Sequence, residues 1–159
     1  MVIQGNNKYE VSDDEIFQNQ MGEMKIHHWG IAVAKMTDAI QEYKRFGWIW
    51  DGEIIEDTDR NVNLAFLHKN NSDEMIELVC AAGEKSPISA TLKLMKNIST
   101  PYHICYEVED LEKTIQILKQ RHYIVTSAPN PAVAFENRRV AFLLNRDVGL
   151  VELLESRKL

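Results

Sequence analysis

Hydrophobic and polar positions follow the same order of patterns twice along the chain. A strand-like apolar run at 25–33 precedes a stretch of helical periodicity at 37–46, and the second half repeats this order at 102–108 and 111–121. Further strands are predicted at 48–55, 61–68 and 74–80 in the first half, and at 123–127, 138–144 and 150–154 in the second. Each half is therefore predicted to be a βαβββ module.

Individual residues repeat at a nearly constant offset of 75. Positions of the first predicted helix recur in the second, and so do short segments of the following strands. The matched pairs include Val33 and Val108, Ile40 and Ile115, Gln41 and Gln116, and Lys44 and Lys119. A chain that repeats itself in this way is predicted to form two tandem copies of one unit. The expected fold is α+β, with the two modules forming one open, cupped mixed sheet.

The repeat also predicts the domain organisation. Residues 1–22 have no counterpart in the second half and are expected to be an N-terminal extension, followed by a single domain at 23–159. Ser86 and Pro87 are favourable residues for a helix start, and they predict a helix between the modules. The parts of the domain are module 1 (24–82), the connecting helix (86–96) and module 2 (101–156).

Local signals refine the predicted helices. Thr37 and Asp110 are residue types that cap helix N-termini, and Gly47 is a residue type that ends a helix. A short amphipathic stretch at 13–20 predicts one more helix within the extension. These signals place the boundaries of the predicted elements to within a few residues.

Composition and charge narrow the classes of partner. A chain of 159 residues falls within the size of one domain, and its formal net charge of −6 disfavours binding to nucleic acid. No apolar run approaches the roughly 20 residues that cross a bilayer. The first residues lack the pattern of a secretory signal, so a cytoplasmic location is expected. Cys80 and Cys105 lie in apolar runs, which predicts core residues rather than a disulfide framework or a thiolate site.

Four residues capable of metal binding occupy matched positions in the repeat. His28 corresponds to His103 and Glu77 to Glu152, both at an offset of 75. Because side chains alternate along a strand, each Glu is expected on the face opposite its two apolar neighbours. A carboxylate in so apolar a strand must be paired, hydrogen-bonded or metal-bound. Each residue alone is more often a core histidine or a solvated glutamate, but all four together predict a metal centre.

The ligand set limits the metal without selecting one. Two imidazoles and two carboxylates suit one divalent ion of Ni, Co, Zn, Mn or Fe, with positions left for water or substrate. By alternation His27 is expected to point away from His28 and to be structural or at the surface. His68 and His122 lie at the ends of predicted elements and are expected to be exposed.

These motifs resemble the vicinal oxygen chelate superfamily, which includes glyoxalase I, methylmalonyl-CoA epimerase, extradiol dioxygenases and resistance proteins. The resemblance covers about residues 24–156. Its most specific segments are His27-His28-Trp29-Gly30-Ile31-Ala32-Val33, Ile76-Glu77-Leu78, Gly83-Glu84-Lys85-Ser86-Pro87-Ile88, His103-Ile104-Cys105-Tyr106-Glu107-Val108-Glu109-Asp110 and Val151-Glu152-Leu153-Leu154-Glu155. The family's four metal positions transfer to the four residues identified above. The resemblance is closest to single-domain glyoxalase I and to methylmalonyl-CoA epimerase.

The resemblance implies a metal-dependent lyase or isomerase that transfers a proton next to a carbonyl and stabilises an enediolate or enolate. Glu152 is then the expected catalytic base, with Glu77 as its counterpart for returning a proton. The leading hypothesis is an enzyme of glyoxalase I type acting on a small-molecule thiol adduct. The alternatives are a methylmalonyl-CoA epimerase acting on a thioester, and a small-molecule binding or resistance protein or biosynthetic tailoring enzyme of the same fold. A homodimer is compatible with the resemblance.

The chain departs from the epimerase pattern at one position. Epimerases carry a second catalytic Glu on the strand after the first helix, and the nearest equivalent here is the shorter Asp59. A turn residue before a strand is an equally good interpretation of Asp59. Arg60, Arg138 and Arg139 are candidates for recognising an anionic substrate, and they are equally consistent with ordinary surface charge.

Overall fold

The computed structural model describes residues 10–157, and within that range the chain forms four α-helices, nine strands and one short 3₁₀ helix. The first part contains α1 (Glu10–Met21), β1 (Lys25–Val33), α2 (Met36–Arg45), β2 (Ile49–Trp50), β3 (Ile55–Asp57), β4 (Val62–His68) and β5 (Met75–Ala81). After α3 (Ser89–Leu94) come β6 (Thr100–Val108), α4 (Leu111–Gln120), β7 (Ile124–Pro131), the 3₁₀ helix (Val133–Phe135), β8 (Arg139–Asn145) and β9 (Gly149–Glu155). The predicted α+β class is confirmed.

All nine strands belong to one open mixed sheet. Its strand order is β2-β4-β5-β1-β6-β9-β8-β7, and β3 pairs with β4 beside β2. The centre of the sheet is the antiparallel pair of β1 and β6, the first strand of each module. Each of these strands also pairs in parallel with the last strand of its own module, β5 or β9. The two modules are therefore related by a quasi-two-fold axis at the β1–β6 pair.

Each module buries one apolar face of its strands beneath its own helix. Val33, Leu67 and Leu78 pack with Ile40 of α2 in module 1. The equivalent core of module 2 joins strands β8 and β9 to Leu111 and other residues of α4. Phe17 and Met21 of α1 pack against this second core, so the N-terminal helix covers α4. Because α2 and α4 cover one face of the sheet, the opposite face of its central strands is free to form a cavity.

The helix ends follow the sequence signals in part. Asp110 caps α4, and its side chain accepts a hydrogen bond from the backbone N–H of Lys113. The predicted Thr37 cap is wrong: α2 begins at Met36, and its capping residue, Lys35, makes no side-chain cap. Gly47 follows α2 in the left-handed region with a φ of 78°, and the equivalent His122 follows α4 with a φ of 65°. The two modules therefore end their helices in the same way.

Two further segments differ in detail from the predicted elements. The strand predicted at 48–55 is divided into β2 and β3, because residues 51–54 between them do not continue the paired ladder with β4. The helix between the modules spans Ser89–Leu94, inside the predicted range of 86–96. None of the helices that the structure describes is long and apolar enough to cross a bilayer.

Candidate metal centre

The four residues predicted to converge lie on the four central strands. His28 and His103 come from β1 and β6, and Glu77 and Glu152 come from β5 and β9. The strand register aligns them: Gly30 pairs with both Glu77 and His103, and Cys105 pairs with both His28 and Glu152. All four side chains point to the cavity face, and none of the four residues is more than 6% exposed.

Their polar atoms meet around one point. Nε2 of His28 lies 3.1 Å from Nε2 of His103. Oε2 of Glu152 is 3.2 Å from the His28 nitrogen and 3.3 Å from the His103 nitrogen. Oε2 of Glu77 is 3.6 Å and 3.4 Å from the same two atoms. One ligand atom from each residue therefore lies within 4.8 Å of all the others.

Aromatic side chains hold the two imidazoles from the sides. Phe66 of β4 contacts the His28 ring edge-on at a centroid distance of 5.8 Å, and Phe142 of β8 contacts His103 in the same way at 5.6 Å. These two phenylalanines pair across the sheet with Glu77 and Glu152 respectively, so they are equivalents in the repeat. Phe135 breaks the symmetry, since it stacks on His28 alone at 5.7 Å.

Charge coupling within the cluster is strong because water is excluded. Burial by itself lowers the pKa of His28, but the carboxylates of Glu77 and Glu152 outweigh this effect and raise the pKa to about 10. Burial raises the pKa of Glu152, and the adjacent imidazoles of His103 and His28 reverse this effect, leaving the pKa well below its usual range. In the absence of an ion, the cluster therefore retains a proton on His28 beside an ionised Glu152.

His27 lies beside His28, so the prediction that it points away is wrong. The pairing of β1 with β6 shifts register between Ile26 and His28, which leaves His27 as the extra residue of a β-bulge. A bulge breaks strict alternation and re-aims a side chain. Nδ1 of His27 consequently lies 2.9 Å from Nδ1 of His28. Burial and then the neighbouring His28 lower the pKa of His27 to about 4.

The arrangement fits a divalent cation. Donors about 2.1 Å from a common centre lie roughly 3.0 to 3.4 Å from one another, which is close to the measured separations. Oε2 of Glu152 is buried and makes no well-oriented hydrogen bond within the described part of the chain. Two imidazoles and two carboxylates also match the donor preferences of first-row divalent metals. These four residues are therefore suited to holding one ion.

A cavity of about 490 Å³ opens onto the cluster. Glu77, His103 and Glu152 lie on its wall together with Tyr102. The rest of the lining is mostly apolar and includes Leu64, Val79, Ile88, Phe135, Val140 and Phe142. An apolar cavity with a few convergent polar groups is the usual form of a small-molecule site.

Two acidic residues and one arginine also line this cavity. Asp57 is buried, and its carboxylate accepts hydrogen bonds from the backbone N–H and the guanidinium of Arg60, at 2.9 and 2.8 Å. The same guanidinium donates to the carbonyl oxygens of Asn130 and Pro131. Asp59 is exposed. Arg60 therefore fastens module 1 to β7 of module 2.

The other two arginines considered for anion binding are engaged within the protein. Arg138 donates to the carboxylate of Glu107 and the carbonyl oxygen of Glu155, and Arg139 pairs with the carboxylates of Glu112 and Glu155. These contacts connect Arg139 at the start of β8, and Arg138 immediately before it, to β6, β9 and the start of α4. Both arginines are accordingly bound to protein acceptors in this structure.

Sequence reasoning missed Phe135 and the contact between His27 and His28. Phe135 lies in the 3₁₀ helix, a segment outside the matched blocks of the repeat. Its signal was an aromatic residue in a short apolar segment bounded by polar residues, which is too common to be specific. The β-bulge at His27 carries no glycine that would mark it. Of the remaining histidines, His122 is exposed, and Nδ1 of His68 lies 2.7 Å from Oδ1 of Asp51 near the surface.

The chain matches the glyoxalase/bleomycin resistance protein/dioxygenase superfamily over residues 27–142. It belongs to that superfamily. This is the vicinal oxygen chelate superfamily that the sequence motifs resemble, and the match spans both modules.

The proteins to which the chain is similar include methylmalonyl-CoA epimerases. The chain is 32% identical over 132 residues to the ethylmalonyl-CoA/methylmalonyl-CoA epimerase of Cereibacter sphaeroides, covering 81% of this chain and 96% of that protein. It is 28% identical over 131 residues to human mitochondrial methylmalonyl-CoA epimerase, covering 81% and 72%. The crystal structure of methylmalonyl-CoA epimerase from Mycobacterium tuberculosis superimposes with a TM-score of 0.72 at 25% identity, covering 84% and 89%.

Proposed function

We propose that this protein is a metal-dependent epimerase that inverts the α-carbon of a short branched acyl-CoA thioester of the methylmalonyl-CoA type. The convergence of His28, Glu77, His103 and Glu152 at the wall of one apolar cavity carries the proposal. The epimerase relatives support it, since two of them match about four fifths of this chain. The glyoxalase I hypothesis favoured by the sequence motifs gains no comparable support from these relatives.

His28, Glu77, His103 and Glu152 would hold the ion. A divalent ion at this position supplies Lewis-acid polarisation of a substrate carbonyl oxygen, which acidifies the hydrogen on the neighbouring carbon. The apolar lining excludes water and so strengthens each electrostatic interaction inside the cavity. The substrate's acyl group would lie against that lining, with its α-carbon beside the two carboxylates.

Proton transfer is assigned to the two carboxylates. Glu152 takes the α-hydrogen as a proton, and the electrons of the broken C–H bond move onto the thioester carbonyl oxygen. Glu77, carrying a proton taken from solvent, then delivers it to the opposite face of the carbon, which inverts the configuration. Glu152 loses its proton to solvent before the next turnover. Starting from the other stereoisomer, the two residues exchange roles. Because β5 and β9 lie on opposite sides of the β1–β6 pair, their carboxylates approach the cluster from opposite directions.

The role of Glu152 as a base is coupled to the charge of the histidines. The adjacent imidazoles of His103 and His28 hold the pKa of this carboxyl low. If a metal ion displaced the proton of His28 into solvent, Glu152 would lose a cationic partner. The ion would then neutralise part of the negative charge of Glu152, and Glu152 could act as a base only through an oxygen that the ion does not hold.

The proposal is tested by hydrogen exchange at the substrate. The purified protein, loaded in turn with Co²⁺, Mn²⁺, Ni²⁺ and Zn²⁺, is incubated with (2R)- or (2S)-methylmalonyl-CoA in D₂O. We expect inversion accompanied by deuterium at the α-carbon, detected by mass spectrometry and chiral analysis. Ethylmalonyl-CoA tests how large an acyl group the cavity accepts. The hemithioacetal of methylglyoxal and glutathione is the control substrate, and its conversion without exchange of either thioester would contradict the proposal.

A further inference from the structure

The β-bulge in β1 gives one of the two histidines of the cluster a partner on its outer nitrogen. His27 and His28 are consecutive, yet their rings meet edge-to-face at a centroid distance of 5.2 Å. Their two Nδ1 atoms lie 2.9 Å apart, which is within hydrogen-bonding distance. The ring of His27 is fixed in turn by an edge-to-face contact with Phe135 at 5.5 Å.

The direction of this hydrogen bond follows from the other end of the His28 ring. Nε2 of His28 faces His103 and the Glu152 carboxylate, so this is the nitrogen available to an ion. A neutral imidazole that donates its Nε2 lone pair carries its hydrogen on Nδ1. That N–H can only be satisfied by an acceptor, and the facing atom is Nδ1 of His27. His27 therefore accepts the hydrogen bond and carries its own hydrogen on Nε2.

Among the residues that the structure describes, the second histidine has no such partner. Tyr102 occupies the position in module 2 that corresponds to His27, and its ring contacts His103 edge-on at 5.5 Å without a hydrogen bond. Within the described part of the chain, Nδ1 of His103 is buried and has no hydrogen-bond partner. Its orientation is limited instead by the close approach of Gly30. The two halves of the cluster are thus supported by different means.

We propose that His27 is a positioning residue, which accepts the Nδ1–H of His28 and so fixes the tautomer and ring orientation that present Nε2 to a divalent ion. The inference rests on the metal centre of the proposed function. Partners on the outer nitrogen of a ligand histidine hold the ring in place and increase its basicity, and their loss typically costs 10- to 100-fold in metal affinity. His27 is expected to contribute within this range.

Two substitutions separate the hydrogen bond from the packing. His27→Phe keeps a ring against Phe135 but removes the acceptor. His27→Asn keeps a carbonyl oxygen close to the position of Nδ1. Zn²⁺ affinity is measured for the full-length chain and both variants by competition with a chromogenic chelator. We expect roughly 10- to 100-fold weaker binding for His27→Phe, and binding by His27→Asn close to that of the unsubstituted protein.

A direct measurement uses the unsubstituted protein and does not depend on the folding of a variant. In the Zn²⁺-loaded, ¹⁵N-histidine-labelled chain, we expect a slowly exchanging Nδ1–H resonance for His28. Its nitrogen should show a scalar coupling across the hydrogen bond to Nδ1 of His27. Absence of this coupling overturns the inference.

The Zn²⁺ affinities of the two variants also test the inference. Equal affinity of His27→Phe and the unsubstituted protein shows that the acceptor is not needed and overturns the inference. Equal losses in both variants assign the effect to packing and overturn it as well. If the unsubstituted protein binds no Zn²⁺ and none of the other ions, the metal centre fails, and the inference fails with it. Zn²⁺ binding by the unsubstituted protein therefore distinguishes failure of this inference from failure of the metal centre itself.

Discussion

Gly30 lies directly against the imidazole of His103 across the β1–β6 pair. A Cβ atom at Gly30 would lie 2.1 Å from Cε1 of that ring, which is far inside van der Waals contact. The backbone of Gly30 does not have a positive φ, so this glycine serves the close approach and not a turn. The position of one candidate ligand therefore depends on the missing side chain of a residue from the other module.

Replacement of Gly30 by Ala should displace His103 and weaken metal binding. Overpacking of this kind costs about 1 to 3 kcal/mol of folding free energy. Gly47→Ala is the control, since it strains a positive φ at the end of α2, away from the cluster. Both variants should unfold at lower urea concentration, but only Gly30→Ala should lose Zn²⁺ affinity. Unchanged affinity in Gly30→Ala would show that His103 can move without consequence.

Metal affinity should rise with pH. The pKa of His28 is about 10 in the absence of an ion, so at lower pH an incoming ion must displace the proton from this ring. Each unit of pH below 10 then weakens apparent binding by about tenfold for one released proton. Titration calorimetry in buffers of different ionisation enthalpy, between pH 6 and 9, measures the metal affinity and the number of protons released on binding. Affinity that is independent of pH in this range would contradict a charged His28.

The two carboxylates should each serve one face of the substrate. In Glu152→Gln, removal of the α-hydrogen should fall by at least about 100-fold for one stereoisomer and persist for the other. Glu77→Gln is the matched variant, since it removes the equivalent ligand from the other module, and it should show the reverse preference. Deuterium wash-in for each separate stereoisomer measures the effect, and metal content is determined alongside.

Asp59 is the comparison residue for Glu77 and Glu152. It lines the cavity but lies outside the four-residue cluster, so Asp59→Asn should leave metal binding intact. If Asp59→Asn blocks inversion while Glu77→Gln does not, the second proton transfer belongs to Asp59. Loss of exchange for both stereoisomers in both Gln variants would limit Glu77 and Glu152 to holding the ion.

The pair of Asp57 and Arg60 should contribute to stability. Asp57 is 2% exposed, and Arg60 joins it to the backbone of β7. Asp57→Ala leaves a largely buried guanidinium without its anion, at an expected cost of about 2 to 3 kcal/mol. Glu42→Ala removes the exposed ion pair with Arg45 and should cost less than about 1 kcal/mol. Urea unfolding measures the free energy of unfolding of both variants. Similar losses of stability in the two variants would contradict the role of the buried pair.

Much of this fold and the location of the cluster could be predicted because the chain is duplicated. Strand alternation and one constant offset were enough to place His28, Glu77, His103 and Glu152 on a common face. The division of β2 from β3 was harder to predict, because an apolar run does not reveal where hydrogen bonding to β4 is interrupted.

The details around the cluster depended on tertiary contacts. The bulge at His27 follows from the register of β1 against β6, a property of two segments 75 residues apart. Phe135 stacks on His28 only because the 3₁₀ helix crosses the sheet at that point. Neither feature leaves a periodic signal in the sequence, so local reasoning placed the candidate ligands and not their supports.

The division of the cluster between the two modules affects the cohesion of the whole domain. Each half contributes one imidazole and one carboxylate, so neither half alone could retain the ion firmly. A bound ion would act as a cross-link between the halves, and its binding free energy would oppose their separation. Stripping the ion should therefore loosen the joint between the halves before it disturbs the interior of either one.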